Sequence, residues 1–109
     1  MGIRNTTLFD ESTKRLAQLA KALGHPARIA ILQHLLQAKA CVNGDLVQEI
    51  GLAQATISQH LQELKSAGLI QGSIEGTRVN YCIHPENWRL VKRQFSEFFD
   101  QFERPNLCC

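Results

Sequence analysis

GDLVQEIGLAQATISQHLQELKSAGLIQGSIEGTRVNYCI, residues 44–83, is the stretch that decides the fold of this chain. Its first part, 45–50, places apolar side chains at helical spacing, and Gly51 follows, where a chain leaving a helix often needs a positive φ. A second segment, 54–67, repeats apolar residues at i, i+4 and i+7. Strand-like stretches at 69–70 and 79–83 then flank Glu75-Gly76, which suits a short hairpin turn. The pattern predicts a helix-turn-helix followed by a hairpin wing.

The second helix of this pair has an outward face that is polar but almost uncharged. Hydroxyl and amide groups there suit base edges in a major groove, and Arg78, beside the wing tip, suits a phosphate or the minor groove. The predicted DNA-contacting residues are Gln54, Thr56, Ser58, Gln59, Gln62 and Arg78. The hairpin favours this interpretation over the alternative that the polar side chains only keep an exposed helix soluble.

Two motifs carry a resemblance to a known family. LGHPARIAIL, residues 23–32, and ATISQHL, residues 55–61, resemble the ArsR/SmtB transcriptional repressors, and the similarity covers residues 10–103. The resemblance implies a dimeric winged helix that binds inverted-repeat operator DNA and leaves it when a metal ion, metalloid or oxidant acts on cysteines or histidines. Ala53 departs from the Ser that often caps such recognition helices, at a cost of about 1 kcal/mol.

The whole chain, 1–109, is predicted to form one winged helix-turn-helix domain, mainly α with a β-hairpin wing, in the α+β class. Within it, 45–67 is the helix-turn-helix and 69–83 the wing. Pro26 opens a further helix that is apolar on most sides and is expected to be central and buried. Its apolar residues are Ile29, Ile31, Leu32, Leu35 and Leu36.

Helices at 10–23 and 85–103 are predicted to form the interface of a homodimer. The second of them follows His84-Pro85 and carries a stripe in heptad rhythm. That stripe consists of Trp88, Val91, Phe95, Phe98 and Phe102. The alternative is that it packs only against its own domain. A two-fold dimer would present two recognition helices about one DNA turn apart, matching a palindromic operator.

The charge and hydropathy patterns exclude several classes of protein. A net charge of +2 excludes a polybasic binder and indicates locally placed basic residues, such as Arg78, Lys65 and Arg28. No apolar run is long enough to cross a membrane and no secretory signal is evident, so a cytoplasmic protein with no membrane partner is expected. No nucleophile, base and orienting residue occur together, and no phosphate-binding glycine loop is present, so an enzyme is not expected.

The four cysteines are the second feature with chemical content. In a reducing compartment they are expected to be thiols, metal ligands or redox sensors rather than a disulfide framework. The adjacent Cys108 and Cys109 can present two sulfurs to one soft centre, such as trivalent arsenic or antimony, Cu(I), Cd(II) or Hg(II). Arg104 would help to keep these thiols deprotonated. The alternative is a solvated tail without function.

Cys41 lies close to the position of the family's arsenic and cadmium site, which carries Cys-Val-Cys. This chain has Cys41-Val42-Asn43 and keeps only the first cysteine. Cys41 is therefore either a third metal ligand reached from the tail or a small core residue, the latter slightly favoured. Cys82, in the wing strand, is expected to be structural.

The histidines give a weaker signal. The family's other metal site, a zinc pair on the terminal helix, is not expected because no histidine follows His84. His25, His34 and His60 fall in three different elements and are expected to be structural.

Three function classes remain. In the first, a repressor with no permanent cofactor is released from its operator when trivalent arsenic, inorganic or methylated, or a related soft metal ion binds the C-terminal cysteines. In the second, a thiol-redox or persulfide sensor joins Cys108 to another cysteine on oxidation. The third is a DNA-binding or interaction module that takes no small-molecule ligand.

Overall fold

The computed structural model describes residues 8–38, 41–43, 50–75 and 78–102. These residues form α1 (Glu11–Leu23), α2 (Pro26–Ala38), β1 (Val42–Asn43), α3 (Gln54–Ser66), β2 (Ile70–Glu75), β3 (Arg78–Ile83) and α4 (Pro85–Phe99). The order of helices followed by a hairpin and a last helix is the predicted α+β architecture with a wing. The expected first helix of the helix-turn-helix falls, except for Ile50, outside the described residues.

The wing is a sheet of three antiparallel strands in the order β1-β3-β2, rather than the hairpin alone. Strand β1 adds a short third strand by pairing Val42 with Tyr81. In the hairpin, Glu75 pairs with Arg78, so Glu75 ends a strand instead of lying in the turn. Residues 76–77 connect the strands and lie outside the described residues. Two residues are the commonest length of a hairpin connection. The connection therefore lies one position later along the chain than the expected turn at Glu75-Gly76.

The core lies where α2 and α3 meet the sheet. Ile57, Leu61 and Leu64 of α3 are fully buried, which confirms the predicted inner face of that helix. They pack with side chains from the other elements in one continuous cluster. The cluster's other buried members are Leu19, Ala22, Ile31, Leu32, Leu35, Leu69, Ile70, Tyr81 and Val91. Because one face of α3 is used entirely for packing, its polar face is held outward.

Local sequence explains how the helices begin. The carboxylate of Asp10 accepts a hydrogen bond from the Thr13 backbone N–H at 2.8 Å and caps α1. The ring of His84 does the same for α4 by accepting from the Asn87 N–H at 3.2 Å. Helix α3 begins after Ala53 with no side-chain cap, as the sequence predicts. Gly51 has φ +91°, which confirms the expected need for glycine there.

The expectations for α2 and α4 were only partly right. Helix α2 buries Ile31, Leu32 and Leu35, but Ile29 and Leu36 are exposed, so it is not buried on most sides. These two residues are seven apart and lie on the same face of the helix. Helix α4 ends at Phe99, with Asp100 as its C-cap, so Phe102 lies beyond the helix that was expected to reach it.

None of the described helices is long and apolar enough to cross a membrane.

Candidate nucleic-acid interface

The outward face of α3 is open to solvent. Thr56, Gln59 and Gln62 are exposed, while Ser58 is half-buried and has an interaction partner within the structure. Gln54 is the first residue of the helix, and its side chain lies outside the described residues. The helix thus presents hydroxyl and amide groups whose donors and acceptors match those of base edges.

Contacts at its C-terminal end tie α3 to the two outer helices. The side-chain amide of Asn87 in α4 donates to the Gly68 carbonyl at 3.1 Å. The guanidinium of Arg15 in α1 donates to the Ala67 carbonyl at 3.3 Å. Both acceptors lie just past the end of α3, where helix carbonyls lack partners of their own. These two contacts connect α1 and α4 to the end of α3.

A cluster of three basic side chains joins α2 to α3. The Arg28 Nε donates to His60 Nδ1 at 3.1 Å, and the His25 and His60 rings lie 4.4 Å apart between centroids. Arg28 also donates to the carbonyl of Ala22 at 3.2 Å, which ties in the end of α1. The described partners of Arg28, which was expected among the locally placed basic residues, are thus protein groups.

The surroundings of His60 in this cluster favour its neutral form. The side chain is only 8% exposed. Burial is the largest cause that lowers the pKa of its ring below the usual 6.5, followed by the charge of His25 and then that of Arg28. A neutral ring leaves Nδ1 free to accept from Arg28. The structural role expected for His25 and His60 fits these contacts, but the contact between the two rings could not be predicted, because they lie 35 positions apart along the chain.

Close backbone packing shapes the wing. Gly72 has φ +142°, and a Cβ placed there would clash with the Asn80 carbonyl oxygen on the paired strand. Next to that contact, Tyr81 is buried and its hydroxyl has no hydrogen-bond partner within the described structure. Burial accordingly raises the pKa of Tyr81. Arg78 is the first residue of β3, beside the tip of the wing as predicted; its side chain lies outside the described residues.

The cysteines depart most from expectation. Cys41 and Cys82 form a disulfide, whereas free thiols or metal ligands were expected. Cys41 is exposed, so its interpretation as a core residue is wrong, and in this oxidised state its sulfur is not free to be the third ligand of a metal. The pairing could not be read from spacing, because β1 is too short for a recognisable strand pattern.

The other candidate ligands do not form a described site. Cys108, Cys109 and Arg104 lie outside the described residues. Within residues 8–38, 41–43, 50–75 and 78–102, no group of three or more His, Cys, Asp or Glu side chains could hold a metal ion.

The end of α4 and the residues before α1 expose several large apolar side chains. Ser12 and Thr13 of α1 line the same 280 Å³ cavity as Phe98 and Gln101, so these two segments are neighbours. The exposed apolar residues near them are Leu8, Phe9, Phe98, Phe99 and Phe102. The predicted heptad stripe is therefore divided, because Trp88, Val91 and Phe95 pack on the chain's own core while its last two members do not.

The chain was compared with protein families and known proteins. Residues 25–71 match the family described as "Bacterial regulatory protein, arsR family". YgaV of Escherichia coli K12, an HTH-type transcriptional regulator, is 35% identical over 75 residues, which are 69% of this chain and 76% of YgaV. CmtR of Mycobacterium tuberculosis, also an HTH-type transcriptional regulator, is 38% identical over 68 residues, 62% of this chain. The match spans 57% of the length of CmtR.

Solved structures share the fold. The homodimeric winged helix-turn-helix domain of Mb0332 from Mycobacterium bovis, described as a possible ArsR-family regulator, has a TM-score of 0.57 at 27% identity. That comparison covers 100% of this chain and 97% of the other. The structure of CmtR, described as a cadmium metal-sensor, has a TM-score of 0.52 at 30% identity and covers 86% of this chain and 95% of its own. These proteins are named as regulators, in agreement with the expectation that this chain is not an enzyme.

Proposed function

Because the chain belongs to the arsR family of bacterial regulatory proteins, we propose that it is a transcriptional repressor that binds operator DNA in the cytoplasm. The single observation that carries this proposal is the division of α3 into a fully buried face and an open polar face that is almost uncharged. Thr56 and Gln59 on the open face have the chemistry of major-groove contacts, and the wing beside the helix places Arg78 near its tip.

The test is a selection from randomised DNA duplexes with the full chain, followed by affinity measurements on the selected sequence. We expect an inverted repeat whose half-sites are centred about one helical turn, or a multiple of it, apart. Thr56→Ala and Gln59→Ala should each lower affinity for that sequence by about tenfold, because a good base contact contributes about 1–3 kcal/mol of discrimination.

Gln33→Ala is the matched control, because Gln33 is an exposed glutamine on α2 rather than α3. It should leave affinity unchanged. If no sequence is enriched, or if the α2 and α3 variants behave alike, α3 is not the reading helix and the proposal is overturned.

The proposed repressor is a homodimer that uses α1 and α4. In support, apolar side chains are exposed where the ends of these helices meet, and the related Mb0332 domain is described as homodimeric. Pairing would remove Phe98 and Phe99 from water. An isologous interface of this kind relates the two reading helices by a two-fold axis, as an inverted-repeat operator requires.

The proposed inducer is trivalent arsenic or a related soft metal ion bound by Cys108 and Cys109, with Cys41 as a third ligand when its disulfide is reduced. Adjacent thiolates suit such centres, and the related CmtR is described as a cadmium metal-sensor. Release from DNA requires that the ligand bind the weakly DNA-binding conformation better than the other. The contacts of Arg15 and Asn87 with the end of α3 offer a route by which movement of the outer helices would reach the DNA.

This part is tested by titrating the reduced protein on its selected DNA with arsenite, methylarsenite, cadmium, zinc and peroxide. Release by an arsenical or soft metal in wild type, but not in the Cys108→Ser, Cys109→Ser double variant, would support the tail as the sensor. Release by peroxide or polysulfide alone would favour the thiol-redox alternative, in which Cys108 joins another cysteine. Retained binding under every titrant would favour a module that takes no ligand.

A further inference from the structure

A cavity lies between α1, α2 and the C-terminal end of α3. It has a volume of about 390 Å³. Its lining includes three cationic side chains, Arg15 and Lys21 of α1 and Arg28 of α2, and one carboxylate, that of Glu63 in α3. Arg15, Lys21 and Glu63 are exposed, so the cavity can be reached from solvent. The excess of cations gives it a positive potential at neutral pH.

The charges that line this cavity do not neutralise one another by direct contact. In the part of the chain that the structure describes, Lys14 pairs with Glu11, but no ion pair joins Glu63 to any of the three cations. The ammonium group of Lys21 likewise has no described hydrogen-bond partner. Positive charge is therefore available at the cavity for an anion from solution.

The two arginines have more donors than their described contacts use. Arg15 donates through Nη2 to the Ala67 carbonyl at 3.3 Å. Arg28 donates through Nε to His60 Nδ1 at 3.1 Å and through Nη1 to the Ala22 carbonyl at 3.2 Å. A guanidinium carries five N–H donors, so each arginine keeps several for a ligand. These contacts also hold the two groups in place, which lowers the entropy that binding would cost.

We propose that this cavity binds a small dianion, a phosphate ester or a dicarboxylate, through Arg15, Lys21 and Arg28. Guanidinium groups match the oxygens of phosphates and carboxylates in pairs, and the Lys21 ammonium adds a third positive charge. Leu19, which is fully buried, lines the cavity beside these cations and offers an apolar surface to the carbon atoms of the ligand. The carboxylate of Glu63 repels such a ligand.

Binding is tested without DNA by calorimetric titration of the full chain at about pH 7.5, in a buffer whose other anions are all monovalent. The probes are glycerol 3-phosphate and succinate, with acetate as the singly charged comparison. We expect one dianion to bind per chain, and acetate to bind at least tenfold more weakly. Either dianion supports the proposal, and the tighter one identifies the chemical source. Failure of both to bind, or equal binding of acetate, would overturn it.

Variants at exposed positions locate the site. Arg15→Gln and Lys21→Gln should each weaken binding by about tenfold, because hydrogen bonds to charged groups contribute about 1.5–3 kcal/mol. Lys21→Gln alters no described side-chain contact, so it tests the cavity even if Arg15→Gln disturbs the fold. Arg93→Gln, on an exposed position of α4, is the matched control and should leave binding unchanged.

The repulsion from Glu63 gives a prediction of opposite sign. Glu63→Gln should strengthen binding severalfold, because it removes the carboxylate from the cavity. Glu97→Gln makes the same change in net charge at an exposed position of α4 and should have no effect. If the cavity variants and the α4 variants change the affinity alike, binding follows the net charge of the chain and the proposed site is wrong.

Backbone phosphate of DNA is the competing occupant, and excluding it rests on the proposed function. A recognition helix contacts bases with its N-terminal residues, whereas the cavity lies at the other end of α3. Lys21→Gln should therefore weaken binding to the selected DNA no more than Arg93→Gln does. A larger loss, uniform across sequences, would assign Lys21 to the DNA backbone and overturn the proposal. A chain that binds the probe but selects no DNA would contradict the proposed function alone.

Discussion

At the scale of single residues, Gly72 shows how little space the wing leaves. Its φ of +142° suits glycine, and the carbonyl oxygen of Asn80 occupies the position that a Cβ would need. Both constraints come from the backbone of the paired strand, so a side-chain rotation cannot relieve them.

We therefore predict that Gly72→Ala lowers the free energy of unfolding by about 2 kcal/mol or more, because the strand must shift to admit the methyl group. Urea denaturation followed by circular dichroism measures this. Gly24→Ala is the control, since Gly24 has an ordinary φ of −84° and the nearest atoms to an added Cβ are 3.4 Å away. A loss no larger than that of the control would contradict the prediction.

His60 gives a prediction about pH. Its pKa in the folded chain is lowered from 6.5 by burial first and then by His25 and Arg28, with Glu63 opposing. Between the lowered and the ordinary pKa, the unfolded chain binds more protons than the folded one, so stability rises with pH there. The contribution of neutral His60 is thus complete above about pH 6.5 and is lost as pH falls through its folded pKa.

The His60→Gln variant cannot bind a proton at this position, while its amide oxygen can still accept a hydrogen bond from Arg28. We expect its stability to fall less than that of wild type between about pH 7.5 and about pH 5.5, as measured by urea denaturation. His34→Gln serves as the control, because His34 lies on α2 outside the cluster of His25, Arg28 and His60. Parallel loss of stability in wild type and His60→Gln would show that His60 does not contribute to acid sensitivity.

At the scale of elements, the helices could largely be predicted from the sequence, but the contacts that each element makes with the others could not. For α3, the helical spacing of the apolar residues agrees with their burial, because Ile57, Leu61 and Leu64 are fully buried as predicted. Strand β1 was missed, because two residues carry no alternation. The Cys41–Cys82 pairing depends on that strand. Likewise, the contact of His25 with His60 arises only when α2 packs on α3.

Helix α4 illustrates the same limit and carries a prediction. Its aromatic stripe could be read from spacing, but which members face the chain's own core could not. Phe98 and Phe99 are 52% and 66% exposed. If they meet a second copy, Phe98→Ser with Phe99→Ser should weaken the dimer by tenfold or more, because two large apolar side chains no longer leave water.

Sedimentation equilibrium over a range of concentrations measures this change. The control is Arg93→Ser, which alters an exposed polar residue of α4. A monomeric wild type would contradict the proposed dimer, and equal dimerisation of all three proteins would place its interface elsewhere.

At the scale of the whole molecule, the disulfide joins residues 41 positions apart. Closing a loop of that length removes conformational freedom from the unfolded chain, which in the chain-entropy description stabilises the fold by up to about 4 kcal/mol. With Cys108→Ser and Cys109→Ser present to prevent exchange, oxidised protein should therefore unfold at higher urea than its Cys41→Ser, Cys82→Ser derivative. Equal urea midpoints for the two proteins would mean that the disulfide does not stabilise the folded chain relative to the unfolded chain.

The same bond has a topological consequence. Residues 41–82 form a covalent ring that contains α3 and β2, while α1, α2 and α4 belong to the two chain segments outside it. A single proteolytic cut within the ring leaves one connected molecule, heavier by one water, whereas a cut outside the ring releases a fragment. A nick between α3 and β2 in oxidised protein would thus leave α3 covalently attached to both outer segments, and only reduction would separate the pieces.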